Sequence, residues 1–139
     1  MTTATAHGPT VLKPDQIKSH DRGGGARTIP LVSPTIGATG FINGITEFGP
    51  GAAIPFHSHN CEESVMLLEG DAVLDMDGQE SVVLKKHDTT WLPANLSHRF
   101  RNLSDTAPMK ILWIYANAQA TRTLTESGET RYVYAEHKA

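Results

Sequence analysis

Prolines spaced along the middle of the chain constrain the fold more than any other feature of the sequence. Between residues 29 and 115 they occur at Pro30, Pro34, Pro50, Pro55, Pro93 and Pro108. A proline inside a helix removes one hydrogen bond and clashes with the preceding turn, so a long helix is excluded here. The apolar residues between the prolines form short β-prone segments, at the spacing of roughly 8 to 12 residues typical of sandwiches and barrels. The sequence therefore predicts an all-β fold.

The length of 139 residues predicts one domain. We expect a Gly-rich, flexible arm over residues 1–28, a barrel over 29–115, and a tail over 116–139 that packs on the barrel or on a partner subunit. The arm ends in Gly23-Gly24-Gly25, which lacks the spacing and the Lys-Ser/Thr of a phosphate-binding loop. We interpret this run as a flexible lead-in or as a loop that folds over the barrel.

Charge and composition exclude several classes of partner. Lys plus Arg number 12 and Asp plus Glu number 15, which gives a net charge of -3 without a basic cluster. This balance argues against nucleic acid or an anionic membrane as the main partner. The apolar runs are too short to span a bilayer, and the first ten residues lack the apolar core of a signal peptide. Because Cys61 is the single cysteine, no internal disulfide can form, and we expect a cytoplasmic protein.

Two predicted strands, 63–69 and 109–115, carry apolar residues on both faces. In a small antiparallel barrel one face of each strand normally meets water, so this pattern indicates a second buried surface. We interpret that surface as the interface of a two-fold homodimer. The alternative is that the N- or C-terminal arm covers the same face.

Three of the seven histidines stand in a pattern suited to metal binding. His57 and His59 lie on a predicted strand, where residues i and i+2 project from one face about 6.6 Å apart along the strand. Glu63 has the same parity, and His98 lies on another strand with Phe100 on its side. A lone His-x-His pair is common on surface strands, so the larger arrangement is needed to interpret it.

Two longer motifs contain these residues. The first consists of Gly51, His57, His59, Glu63 and Gly70, and the second of His87, Pro93, Asn95, His98 and Asn102. Their spacings are similar to the two motifs of the cupin family, in which the positions of His87 and Asn95 are usually glycine. The resemblance covers residues 51–102 by motif and 29–115 by strand pattern. It implies a cupin-type double-stranded β-helix, a jelly-roll barrel with extra strands or arms at both termini.

Carried over to this chain, the resemblance implies one divalent transition metal per chain, held by His57, His59, Glu63 and His98. Imidazole and carboxylate donors suit Fe, Mn, Ni, Zn and Cu, and we prefer Fe(II) among them. Glu63 is then a ligand or the catalytic base. The alternative is a metal-free cupin whose histidines line the pocket as hydrogen-bonding groups.

The departures at His87 and Asn95 have a conformational interpretation. Glycine at such positions usually supplies a positive φ angle. Histidine and asparagine are among the few other residues enriched in that conformation, so we expect the turns at these two positions to form without glycine.

Other residues near the motifs have weaker signals. We expect Cys61 to be a buried, inert thiol rather than a metal ligand. The inward candidates for a substrate wall, besides one face of 111–115, are Val65, Leu67, Trp91 and Phe100. Groups that could transfer protons near the metal are Glu47, Tyr115 and Tyr132.

The sequence leaves three functions open for a small molecule bound at such a metal. The first is a dioxygenase acting on an enolisable, diketone-like or catechol-like substrate. The second is a non-redox isomerase, lyase or decarboxylase that stabilises an enolate. The third is a binding or sensing module without turnover. Of these, we favour the dioxygenase from the sequence alone.

Overall fold

Two six-stranded antiparallel sheets form the fold of the computed structural model, which describes residues 8–137. In sheet 1 the strands follow the order β1 (His20–Gly23), β2 (Ala26–Pro30), β3 (Ile42–Phe48), β10 (Met109–Tyr115), β5 (Glu63–Glu69) and β8 (Thr89–Leu92). In sheet 2 they follow the order β12 (Thr130–Tyr132), β11 (Thr121–Leu124), β4 (His57–His59), β9 (His98–Asn102), β6 (Ala72–Met76) and β7 (Val82–Leu84). The predicted all-β jelly-roll class is confirmed.

Helical structure in residues 8–137 consists of short 3-10 helices at Pro14–Gln16, Pro34–Ile36 and Tyr134–His137. No helix in this part of the chain has the length and apolar character needed to cross a membrane.

Alternating side chains of the two sheets fill the space between them. In β3, β9 and β10 every second residue is buried, beginning with the first residue of the strand. The largest fully buried side chains include Phe48, Phe100, Leu67 and Met109. Because successive residues of a strand project to opposite faces, the residues between them point outward. The core, and every site residue of inward parity, therefore lies between the sheets.

The segment expected to be a flexible arm contains a β-hairpin. β1 pairs with β2, and β2 pairs with β3, so sheet 1 begins at residue 20. The three-glycine run forms the hairpin turn, with positive φ angles at all three glycines. A Cβ atom on Gly24 would lie 2.6 Å from the carbonyl oxygen of Ala53, so a larger residue would push the hairpin away from its neighbour. The predicted boundary at residue 29 lies inside β2, and residues 1–7 of the predicted arm are outside the described residues.

The predicted tail extends sheet 2 within the same chain. β11 pairs with β4, and β12 pairs with β11. Val133, just after β12, is fully buried and belongs to the core. Residues 138 and 139 of the predicted tail lie outside the described residues.

The backbone conformation of two turns confirms that His87 and Asn95 adopt the positive φ angle expected at these usual glycine positions. His87 has a φ angle of 75° and Asn95 one of 70°. The backbone N–H of Asn95 donates to the carbonyl oxygen of His59 at 2.7 Å, which ties this turn to the strand of the His-x-His pair.

A charged cluster on the outward face of sheet 2 joins β6 to β9. Asp75 lies opposite Arg99, and its carboxylate accepts hydrogen bonds from Arg99 Nε at 2.9 Å and from Arg101 Nε at 2.7 Å. The Ser81 hydroxyl also donates to it. The hydrogen bond from Arg101 holds the pKa of Asp75 well below its usual range. Burial alone would raise this pKa, and the hydrogen bonds from Ser81 and Arg99 lower it further.

We expect Asp75→Asn to lower the free energy of unfolding by about 1–3 kcal/mol at pH 7, because both arginines lose a charged acceptor. The pKa of Asp75 is lower in the folded state, so its contribution is complete above the unfolded value near 4 and decreases as the pH falls. Urea unfolding at pH 7 and at pH 3 should therefore show a smaller difference between native and variant proteins at pH 3. The exposed Asp105→Asn is the control, with little change at either pH. A difference of equal size at both pH values would contradict this role.

Candidate metal centre

Three histidines and one glutamate converge from both sheets. β4 contributes His57 and His59, and β9 contributes His98 directly opposite His57. Glu63, the first residue of β5, reaches the same point from sheet 1. All four side chains are buried. The ligand atoms that the three histidines offer lie within 4.8 Å of one another, and Glu63 Oε1 is 2.8 Å from His98 Nε2 and 3.9 Å from His59 Nε2.

Backbone carbonyl groups fix the orientation of all three imidazoles. His57 Nδ1 donates to Pro55 O at 2.8 Å, His59 Nδ1 to Thr121 O at 2.9 Å, and His98 Nδ1 to Leu96 O at 2.8 Å. A carbonyl oxygen can only accept, so each Nδ1 carries a proton. In the neutral ring the lone pair then lies on Nε2, the atom that a metal would bind.

The cluster controls the protonation of its own members. Burial, together with the neighbouring His59 and His98, lowers the pKa of His57 to about 3, so this ring is neutral. Burial by itself would raise the pKa of Glu63, but the contact with His98 and the nearby imidazoles lower it below its usual value. Burial likewise opposes the charged form of His98, yet Glu63 raises the pKa of that ring. A cation bound here would compete with a proton for Nε2 of His98.

The residues fit a divalent transition metal. His98 Nε2 and Glu63 Oε1 are buried and close together, but they lack the alignment of a normal hydrogen bond. Buried polar atoms without a good hydrogen bond are rare and call for an explanation such as a bound ion. Three imidazole nitrogens and one carboxylate oxygen form a donor set common to Fe, Mn, Ni, Cu and Zn.

The predicted wall residues are only partly where we expected them. Phe100 lines the inner pocket beside the histidines. Val65 and Leu67 are fully buried in the core. The predicted inward position of Trp91 is wrong. Its side chain is 64 % exposed on the outer face of β8, and Nε1 donates to Glu62 Oε1 at 2.8 Å. In β8 it is Leu92 that is buried, so the strand has the opposite parity to the one that we predicted.

Among the candidate proton-transfer groups, only Tyr115 reaches the centre. Its buried ring lies 4.3 Å from that of His59 and stacks on Trp113 at 4.9 Å. Tyr132 is 48 % exposed, and Glu47 lies 3.6 Å from Lys110 on the outward face of sheet 1. Cys61 is half-buried against the core, and burial raises the pKa of its thiol, as expected for an inert group.

A cavity of about 430 Å³ leads from the surface to His57. Its wall includes Arg22 and Ile54, together with Arg122 and Leu124 from the predicted tail. A smaller pocket of about 20 Å³ continues inward, and Arg22, Ile54, His57 and Arg122 line both spaces. Sequence reasoning missed the two arginines, because no motif includes them and both lie outside the predicted barrel segment.

Comparison with known proteins agrees with this geometry. Residues 44–115 match the family described as Cupin domain. The curated Polyketide synthase CurC of Streptomyces cyaneus is 36 % identical over 99 residues, which cover 70 % of this chain and 63 % of that protein. The match thus spans less than two thirds of the relative.

Solved structures share the fold at low sequence identity. The polyketide cyclase RemF from Streptomyces resistomycificus has a TM-score of 0.72 and 18 % identity, covering 91 % of this chain and 86 % of that one. A recombinant oxalate oxidase in complex with glycolate has a TM-score of 0.71 and 17 % identity, covering 95 % and 68 %. At these identities the likeness concerns the fold alone. With its two motifs, its paired sheets and a family match over more than half of its length, the chain belongs to the cupin family.

Proposed function

We propose that this protein is a metal-dependent enzyme that cyclises a diketone-like small molecule by non-redox enolate chemistry. The observation that carries the proposal is a cluster of one buried carboxylate and three imidazoles, of which His57 lines an open cavity. The 36 % identity to Polyketide synthase CurC, and the fold shared with a polyketide cyclase, favour carbonyl condensation over oxidation. This reverses the preference that we drew from the sequence alone.

His57, His59, Glu63 and His98 would hold the metal. When bound, a divalent cation would supply Lewis-acid stabilisation of negative charge on a carbonyl oxygen. Glu63 is proposed as the fourth ligand rather than as the catalytic base, because its lowered pKa makes it a weak base.

The chain itself supplies apolar and aromatic side chains next to the histidine cluster. Phe100, Ile111, Trp113 and Tyr115 line the inner space beside His57. All four are nearly inaccessible to solvent, so they would exclude water from the inner side of the metal, while the substrate itself would occupy the outer cavity of about 430 Å³.

The test uses heptane-2,4,6-trione as a probe. Its terminal methyl carbon forms a bond to the distal carbonyl carbon, and loss of one water gives orcinol without any oxidant. We expect protein with one metal per chain to form orcinol under argon, and chelated protein to lose this activity. A metal-loaded protein that forms no orcinol above the protein-free rate would contradict the proposal.

The dioxygenase remains a second candidate, because the same donor set suits Fe(II). Oxygen uptake distinguishes the two functions. If iron-loaded protein consumes oxygen in proportion to a diketone or catechol and forms no orcinol under argon, the dioxygenase replaces the cyclase.

We also propose a homodimer through the outward face of sheet 1. Met66, Leu68, Leu112 and Ile114 project from its central strands and are only partly buried within one chain. The tail extends sheet 2 instead of covering them.

Light scattering should therefore give about 30 kDa, twice the chain mass of 15.1 kDa. Leu112→Glu should shift the value to that of one chain, because a charge would be buried in the interface. Val83→Glu, on the edge strand of sheet 2, is the control and should leave the mass unchanged. A native mass of one chain would contradict the dimer.

A further inference from the structure

Two arginines from separate segments of the chain meet at the cavity. Arg22 lies on β1, and Arg122 lies on β11, one hundred positions later. Both line the outer cavity beside His57 and the inner pocket beside Glu63. An anion that enters this space would therefore lie near both arginine side chains and near His57.

The backbone fixes both arginines relative to the histidine cluster. Arg122 is paired with His59 across the ladder between β11 and β4, and the preceding carbonyl, of Thr121, accepts from His59 Nδ1. On the other side, Gly49 N–H donates to Gly25 O at 2.9 Å, which holds the hairpin that carries Arg22. The backbone positions of both arginines relative to the cluster are thus set by strand pairing.

The charges along the cavity favour an anion, although the whole chain is acidic. The outer lining contains three arginines and two carboxylates. One of these carboxylates, Glu129, pairs with Arg131 at 2.6 Å, and the other, Asp21, accepts from the N–H of Gly23. The inner pocket contains two arginines and one carboxylate, Glu63, which belongs to the histidine cluster.

A third hydrogen-bond donor lies in the inner pocket. Trp113 Nε1 donates to Thr46 Oγ1 at 2.9 Å, and the hydroxyls of Thr46 and Thr28 are 3.0 Å apart. Only one of the two hydroxyl protons can lie between the two oxygens, so the other remains for another acceptor. Both threonines line the inner pocket. Guanidinium groups donate without accepting, and together with this hydroxyl they complement a carboxylate, which only accepts.

We propose that the substrate is a β-dicarbonyl carboxylic acid, whose carboxylate is bound by Arg22 and Arg122 while its dicarbonyl group faces the histidine cluster. This inference rests on the proposed function and specifies its substrate class. The arginines act as specificity-determining residues, since they would recognise the acid and discriminate against its neutral ester.

The test compares 2,4-dioxopentanoate with its methyl ester, which keeps the dicarbonyl group but has no charge. Calorimetry of zinc-loaded protein should show the acid binding at least about tenfold more tightly than the ester. Arg22→Gln and Arg122→Gln should each weaken binding of the acid by about tenfold and leave ester binding nearly unchanged. Arg27→Gln, an exposed arginine on the outward side of β2, is the matched control and should alter neither.

Two outcomes would overturn the inference. One is equal affinity of the native protein for acid and ester. This comparison uses the native protein alone, so it does not depend on whether a variant folds. The other is an equal loss of acid binding in Arg27→Gln, which would indicate a general effect of charge. If acid and ester bind equally while orcinol still forms, the carboxylate inference fails and the cyclase proposal stands. If neither ligand binds and no orcinol forms, both are wrong.

Discussion

Replacing His98 with alanine is expected to remove stoichiometric metal binding while the two sheets remain folded. The ring of His98 lies 4.6 Å from that of His57, and its Nε2 lies 2.8 Å from Glu63 Oε1, closer than the 3.9 Å of His59 Nε2. Loss of groups that only support a ligand lowers metal affinity by about 10- to 100-fold, so loss of a ligand should exceed about 100-fold. Metal content after desalting should fall from one ion per chain to a small fraction.

The controls separate metal binding from folding. His98→Gln fills most of the same volume without an imidazole and should lose the metal as well. His87→Asn changes a histidine at an outer turn, where asparagine tolerates the positive φ angle, and should keep one ion per chain. Circular dichroism should show the same β-structure in all three variants. Retention of one ion per chain by folded His98→Ala would show that the ligand assignment is wrong.

Gly44→Ala is expected to produce a large loss of stability from a single methyl group. Gly44 is buried on β3, directly opposite Trp113 of β10. A Cβ atom there would lie 2.8 Å from the carbonyl oxygen of Ile29 and even closer to the indole of Trp113. The carbonyl belongs to the neighbouring strand and cannot move alone, so we expect unfolding free energy to fall by about 2–3 kcal/mol.

Chemical denaturation of three further variants tests the cause. Gly40→Ala adds the same methyl group where nothing lies within 4 Å, and should change stability little. Trp113→Phe removes the indole atoms nearest to the new methyl group, so Gly44→Ala should cost less in that background than in the native protein. Additive effects in the double variant would contradict the steric explanation. Because Trp113 stacks on Tyr115, which in turn contacts His59, Gly44→Ala should also weaken metal binding.

The sequence by itself was sufficient for the strands of the barrel segment and for nominating the four candidate ligands. A strand has a period of two, so His57, His59 and Glu63 could be placed on one face from their numbers alone. The resemblance to the cupin motifs then implied that His98 joins them, and the structure brings all four side chains together. The turns at His87 and Asn95 were also predictable, because backbone conformation there depends on local sterics.

The outward position of Trp91 and the positions of the two cavity arginines could be found only from the tertiary structure. The inward face of β8 is set by its pairing with β5, and that register gives Leu92 rather than Trp91 the buried position. Arg22 and Arg122 reach the cavity because β1 pairs through β2 with one sheet and β11 pairs with β4 in the other. Pairing between distant segments depends on the packing of the whole barrel and leaves no local pattern in either segment. The sequence therefore determined the strands of the barrel segment and the candidate ligands, while the three-dimensional fold decided which charged groups surround the path to them.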